Sequence, residues 1–255
     1  MNLELFKEEK TKAVLVSLNE NMTEQENISS LDELERLLDT AGGVAVARVT
    51  QNRTSPDKAT YIGSGKVKEL AEFISAYDGE IGLVVFDNEL SPSQIANLES
   101  ELDTRVIDRT MLILDIFAIH ATTGEGKLQV EIACLRYTAP RLMGQGLKLS
   151  RLGGGIGTRG PGESKLESDR RHIKRRIDAL KSELAELEKN RAVKRSARDK
   201  SGTMSAAIIG YTNAGKSTLL NYLTDAGILA EDKLFATLDP VMRQIELPEN
   251  RRCML

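Results

Sequence analysis

Tryptophan is absent from this chain, cysteine and histidine occur twice each, and aromatic residues make up only 4% of its 255 positions. Cys134 and Cys253 are too few and too far apart for a disulfide framework, and two histidines offer no metal-ligand cluster. The shortage of aromatics removes the stacking platforms that single-strand nucleic-acid binders rely on. Nothing approaches the roughly 18 apolar residues of a membrane span, the longest strand-like apolar run being Ile81 to Phe86. The opening MNLELFKEEK has no apolar core of the kind a signal peptide needs. The chain is therefore expected in the cytoplasm, as a monomer, with peripheral attachment as its closest approach to a membrane.

Present instead is a strong segregation of charge. The net charge of −3 hides three blocks. Residues 1–140 carry 13 Lys and Arg against 24 Asp and Glu, residues 141–200 carry 17 against 8, and residues 201–255 carry 5 against 6. A basic block between acidic neighbours is the footprint of a surface that meets a phosphate backbone, although a solvated helix face gives the same composition.

Residues 12–125 alternate strand-like and helix-like segments. Strands are expected at Ala13 to Leu18, Val44 to Thr50, Ile81 to Phe86 and Arg105 to Ile107, with helices near Ser30 to Thr40, Lys66 to Tyr77 and Ser91 to Leu102. Ser30 with Glu33 reads as the capping box of the first helix, Leu31, Leu34, Leu37 and Leu38 as its buried face, and Gly42 as its end. Strands separated by helices favour a parallel sheet. From Lys127 the pattern is helical, with Pro140 expected to end or kink it, and a glycine-rich loop, Leu152 to Glu163, follows. A second helix is expected from about Ser164. Its Ile173, Ile177, Leu180, Leu184 and Leu187 fall at spacings of 4 and 3, the pattern of a helix zipped against another. An antiparallel hairpin results, with Arg170, Arg171, Lys174, Arg175 and Arg176 near the glycine loop, and residues 190–204 as its end and linker. With few aromatics, that tip suits recognition of RNA shape and backbone.

The sharpest chemical signal is SAAIIGYTNAGKSTLLN, residues 205–221. Gly210, Gly215, Lys216 and Ser217 complete G-x-x-x-x-G-K-[ST] after a short apolar strand, expected at Ala206 to Ile209, and before a helix. A triphosphate needs convergent backbone N–H groups and a helix N-terminus, which such a turn supplies. Lys216 would reach the β and γ phosphates, and the Ser217 hydroxyl would bind Mg²⁺. Thr237, one helix and a loop downstream, stands where a first switch belongs and could add its hydroxyl to Mg²⁺. Two lookalikes are discounted. Gly63-Ser64-Gly65-Lys66 has Thr60 in place of the first glycine and Val67 in place of the Mg²⁺ ligand, and Asp39-Thr40-Ala41-Gly42 lies upstream, at an expected helix end.

Taken together, GKLQVEIACLRYTAPRL, GGGIGTRGPGESKLESDRRHIKRRI, GYTNAGKSTLLNYLT and FATLDP are similar to the HflX family of ribosome-associated GTPases, relatives of the Obg group. The resemblance runs from about residue 44 to the end. It implies an α/β protein in three parts: an N-terminal parallel-sheet domain (1–125), an antiparallel helical hairpin (126–200) and the first part of a P-loop GTPase domain (201–255). It further implies GTP and GDP as ligands, Mg²⁺ as cofactor, and the large (50S) ribosomal subunit and its RNA as partners, some members separating stalled ribosomes. Carried over by position, Gly210, Tyr211, Thr212, Asn213, Ala214, Gly215, Lys216, Ser217 and Thr218 form the GTP loop, and Phe235, Ala236, Thr237, Leu238 and Asp239 the first switch. Lys216 and Thr237 would act in hydrolysis, Ser217 and Thr237 as metal ligands. Asn213 corresponds to an asparagine that helps hold K⁺ beside the transferred phosphate.

After the loop no D-x-x-G follows, and no N-K-x-D occurs in the chain. The sequence thus reads as a member shortened within its GTPase domain, expected to bind nucleotide weakly, with little base selectivity and poor hydrolysis. The alternative reading is a nucleotide-independent RNA- or ribosome-binding module with a vestigial phosphate loop.

Overall fold

A computed structural model describes residues 10–150, 161–200, 204–224, 227, 234–235, 239–247 and 251–255. For 141–150, 161–167, 169, 194, 197–200, 247 and 251 it describes the backbone alone. The chain is α/β and divides into two compact units, Met1–Asp115 with Tyr137–Arg170, and Ile116–Arg136 with Arg171–Leu255.

In the first unit β1 (Thr11–Asn19), α1 (Glu24–Thr40), β2 (Gly43–Asn52), α2 (Ser64–Ala76), β3 (Leu83–Phe86), α3 (Pro92–Leu102) and β4 (Val106–Asp108) follow one another. The sheet has the order β2-β1-β3-β4 with every pair parallel, as the strand-helix alternation predicts. Parallel neighbours are joined by crossover helices that cover the sheet, so the central strands read as unbroken apolar runs. Ala13 to Val16 and Val84 to Phe86 are fully buried.

The first helix begins earlier than Ser30. Thr23 is its N-cap, and Thr23 with Glu26 forms the capping box. The polar first turns hid this start. Asn27 points inward, accepting from Ser17 Oγ at 2.7 Å and donating to Thr50 Oγ1 at 3.4 Å. Ser30 and Glu33 are mid-helix residues with other duties. Ser30 Oγ donates to Asp87 at 2.6 Å, and the Arg109 guanidinium joins Asp87, Glu33 and the Ser30 carbonyl at 2.8, 3.0 and 2.9 Å. Leu31, Leu34, Leu37 and Leu38 are buried as expected. Gly42, at φ +85°, follows the C-cap Ala41, so Asp39-Thr40-Ala41-Gly42 is a helix terminus. The other lookalike is a terminus too: Gly63 caps α2, and Lys66 pairs with Glu69 at 2.6 Å.

After β4 comes α4 (Arg109–His120), which the sequence pattern did not reveal. Its Met-Leu-Ile-Leu-Asp-Ile-Phe-Ala-Ile run is apolar on every side and lacks helical periodicity. Asp108, fully buried at the end of β4, caps it through the Met111 N–H at 2.9 Å and also accepts from the Tyr137 hydroxyl at 2.6 Å. The long helices are α5 (Gly124–Ser150) and α6 (Pro161–Lys200). Pro140 does not end α5, because a proline removes one main-chain hydrogen bond while turns on either side of a long helix persist. α6 starts before Ser164 and continues through the segment expected as linker. Of the glycine-rich loop, residues 152–160 lie outside the described residues and 161–163 belong to α6.

Within the second unit, Arg176 binds Glu131 at 2.7 Å and Arg191 binds Glu125. Numbers rising along α6 meet numbers falling along α5, which is the antiparallel pairing expected. Leu180 is buried and Ile173, Ile177 and Leu184 are half-buried, whereas Leu187 is exposed. β5 (Met204–Ser205), α7 (Lys216–Thr224), β6 (Gln244–Leu247) and β7 (Arg251–Met254) complete the unit, with the sheet order β5-β7-β6. The strand expected at Ala206 to Ile209 is displaced and shorter. Only Met204 and Ser205 pair with β7, the Ala206 N–H reaches Met254 O at 2.8 Å, and Ile209 is 90% exposed. A strand with one partner among the described residues has half a ladder to hold it, so the pairing frays within a few residues.

Candidate functional site

The turn that leaves β5 and enters α7 holds the phosphate-loop motif. Gly215 sits at φ +77° and Asn213 at +57°. Glycine takes a left-handed backbone without cost and asparagine with little, which lets the loop reverse direction and turn N–H groups inward. The Ala214 N–H bonds to Tyr211 O at 3.3 Å, and the Leu219 N–H bonds to Gly215 O at 2.9 Å, marking Gly215 as the residue just before the helix. The amides of α7's first turn have no carbonyl one turn earlier in the helix to bond to, and with the helix dipole they form an anion-attracting end. Lys216, the first residue of α7, folds back so that its Nζ donates to Tyr211 O at 2.5 Å. The ammonium is therefore tied back to the loop's own main chain. Residues 210–215 are exposed, and Lys216 and Ser217 are half-buried.

Sequence reasoning placed the first switch at 235–239. Of that segment Ala236, Thr237 and Leu238 lie outside the described residues. Its two ends are described, and both lie against the junction between α4 and α5. Leu234 is buried, and the Phe235 ring meets Phe117 edge to face with centroids 5.1 Å apart. Asp239 accepts four hydrogen bonds: from the Thr122 N–H and hydroxyl at 2.7 and 2.8 Å, and from the Thr123 N–H and hydroxyl at 2.8 and 2.6 Å. Partial burial pushes this carboxyl up, but the bonds from Thr123 and Thr122 outweigh that and hold it at about 2.

Phe117, Thr122 and Thr123 were not among the residues picked out from the sequence. A threonine just before a helical pattern is an N-cap signal, and Thr123 does cap α5, its hydroxyl accepting from the Gly126 N–H at 3.0 Å. That signal locates the helix start. It says nothing of a carboxylate more than a hundred residues downstream.

Ser217 fits the metal expected there. It follows Lys216 on the first turn of α7, so a hydroxyl and an ammonium share one anion-facing end. No group of three or more His, Cys, Asp or Glu gathers among the described residues.

Three family descriptions match in succession: GTP-binding GTPase N-terminal over residues 28–118, GTP-binding GTPase Middle Region over 120–198, and 50S ribosome-binding GTPase over 205–255. Curated relatives include GTPase HflX of Lacrimispora saccharolytica, 56% identical over 98% of this chain and 58% of its own length. GTPase HflX of Alkalihalophilus pseudofirmus is 53% identical over 92% of this chain and 55% of its own. The Escherichia coli protein of that name is 46% identical over 93% and 55%. This chain thus spans just over half the length of the relatives it matches. Among solved structures, SsGBP in complex with GDP superposes with a TM-score of 0.50 at 26% identity, over 95% of this chain and 60% of that one. Agreement of this depth, running through the phosphate loop and nearly all that precedes it, makes the chain a member of the HflX family of GTPases.

Proposed function

We propose that this polypeptide binds GTP and GDP at the 210–218 loop and uses the nucleotide state to govern a basic two-helix arm that docks on RNA of the large ribosomal subunit. One observation carries the nucleotide reading: the Lys216 ammonium lies folded over the loop at the start of α7, where a γ phosphate would replace Tyr211 O as its partner. The description of the 205–255 match as a 50S ribosome-binding GTPase supports the choice of partner, as does the row Arg170, Arg171, Lys174 and Arg175, all exposed on α6. The division of labour follows the three expected parts, 1–125 as an α/β domain, 126–200 as the arm and 201–255 as the nucleotide-binding portion, and the chain acts in the cytoplasm.

The chemistry asks little of covalent catalysis. Amides of the loop and of α7's first turn hold the phosphates, Lys216 offsets their charge, and Ser217 with Thr237 would hold Mg²⁺, which supplies further neutralisation when bound. Asn213, already in the left-handed conformation that turns the loop, is the residue for a K⁺ ion beside the transferred phosphate. Equal hydrolysis rates in K⁺ and Na⁺ would remove that assignment.

Titration with mant-GTP and mant-ATP tests the reading. Wild type should bind the guanine nucleotide weakly, and Lys216→Ala should abolish the signal; equal binding by both proteins overturns it. Sedimentation with 50S subunits, with and without a non-hydrolysable GTP analogue, tests the coupling. Binding that ignores nucleotide leaves the RNA-binding module as the better account.

A further inference from the structure

The four hydrogen bonds on Asp239 are unusual in what they join. One partner is the last residue of the expected switch segment, and the other is the turn that starts the arm helix α5. Thr123 is the hinge of the arrangement. Its hydroxyl donates to Asp239 Oδ1 while accepting from the Gly126 N–H, so the carboxylate and the first turn of α5 are held through one oxygen. Gly126 leaves the room. A Cβ built there would overlap Asp239 Oδ1 and come within 3.0 Å of Thr123 Oγ1. Phe235 packed on Phe117 fixes the other end of the same segment beside the same junction. In sequence Thr237 lies between these two anchors.

We infer that Asp239 is a positioning residue: a carboxylate clasp that ties the nucleotide-responsive segment to the N-terminus of α5, and so relays nucleotide state to the arm. This rests on the proposed nucleotide function. A carboxylate engaged four times by Thr122 and Thr123 is committed to the turn that starts the arm helix. Charge-assisted bonds of this kind are stronger than neutral ones, and a carboxylate at a helix N-terminus also gains from the dipole. A ligand whose binding shifts Asp239 must strain or release the clasp, freeing or tightening the first turn of α5. Linkage is reciprocal, so RNA held by the arm changes nucleotide affinity by the factor with which nucleotide changes RNA affinity.

The experiment is hydrogen exchange at the amides of residues 122–128 on the full chain, with and without GTP analogue and Mg²⁺, while mant-nucleotide fluorescence follows binding independently. Wild type should show exchange that shifts about tenfold with nucleotide, equivalent to about 1.4 kcal/mol. Thr123→Val and Gly126→Ala should still bind nucleotide, with affinity altered by up to about the same tenfold factor, and erase the shift, whereas Thr123→Ser, which keeps the hydroxyl, should retain both affinity and shift. Without nucleotide, Asp239→Asn should speed exchange at the Thr122, Thr123 and Gly126 amides. The inference is overturned if nucleotide binds and wild-type exchange at 122–128 does not move, or if Thr123→Val and Gly126→Ala respond like wild type. Loss of fluorescence binding in wild type removes the nucleotide function itself; slowed or unchanged exchange in ligand-free Asp239→Asn removes the clasp.

Discussion

The four-stranded sheet and the phosphate-loop region put their apolar residues to opposite uses. In the sheet, β1 and β3 bury Val14, Leu15, Val16, Val84, Val85 and Phe86 completely, and Leu34 and Leu37 of α1 close over them with no exposure. Around α7, Ile209, Tyr211 and Tyr222 are 90, 91 and 87% exposed, and Leu220 is the one residue of that helix counted as buried. Among the described residues, the first region holds the buried apolar core, while the second presents main-chain donors and a lysine with few buried apolar side chains around them. An exposed turn leaves its main-chain donors open to an anion.

The sharpest way to break the comparison is to cut into each core. Leu34→Ala should cost about 2 to 5 kcal/mol, because a fully buried leucine leaves a cavity that rigid neighbours cannot fill; the urea midpoint of the first unit checks it. Ile209→Ser, exposed already, should stay within about 0.5 kcal/mol in the same assay. A large effect there would mean that Ile209 is covered in solution.

Lys216→Ala reverses the ranking. It should leave the urea midpoint in place and weaken nucleotide binding by roughly ten- to a hundredfold, the worth of a charged hydrogen bond of about 1.5 to 3 kcal/mol. Retained affinity in a mant-GTP titration would contradict it.

The arm should respond to charge and salt. Lys174→Glu with Arg175→Glu should reduce the slope of log affinity for ribosomal RNA against log salt by about one per lost phosphate contact. Arg176 serves as the control of a different kind: its guanidinium is committed to Glu131, so reversing it should loosen the α5–α6 pairing more than the RNA contact.

The smallest effect is acid sensitivity at Asp239. Its carboxyl is lowered from 3.8 to about 2 in the folded chain, so its contribution is complete above the unfolded value and fades as pH falls through the folded one. Exchange at the Thr122 and Thr123 amides should therefore be insensitive to this group from neutral pH down to about 4 and accelerate below that. A transition centred near the ordinary carboxylate value would show that the clasp is not formed.

Much of this was legible before any coordinates, and the reasons are local. Val14 to Leu18 and Val84 to Phe86 announce central parallel strands by unbroken apolar content, and the leucines of α1 announce a helix by spacing. The phosphate loop is a contiguous motif whose glycines, lysine and serine carry their geometry in their order. The alternating Ile173, Ile177 and Leu180 pointed to α5 as partner, and the Arg176–Glu131 pair agrees. Other features stayed hidden, three of them for plain local reasons. α4 is apolar on all sides, so no period marks it; the start of α1 is masked by the inward-facing Asn27; and Pro140 signals a break that the length of α5 absorbs.

Short-range order was largely written in the residues themselves: the strand-helix alternation of the first sheet, the spacing of helix faces, and the turn that can cradle a phosphate, because these depend on φ/ψ preferences and periodicities within a dozen positions. Long-range pairing was not. Only the folded chain brought Asp239 to Thr122 and Thr123, or Arg109 to Asp87 and Glu33, because a carboxylate carries no mark of which distant hydroxyl or guanidinium it will meet until the backbone between them has been folded.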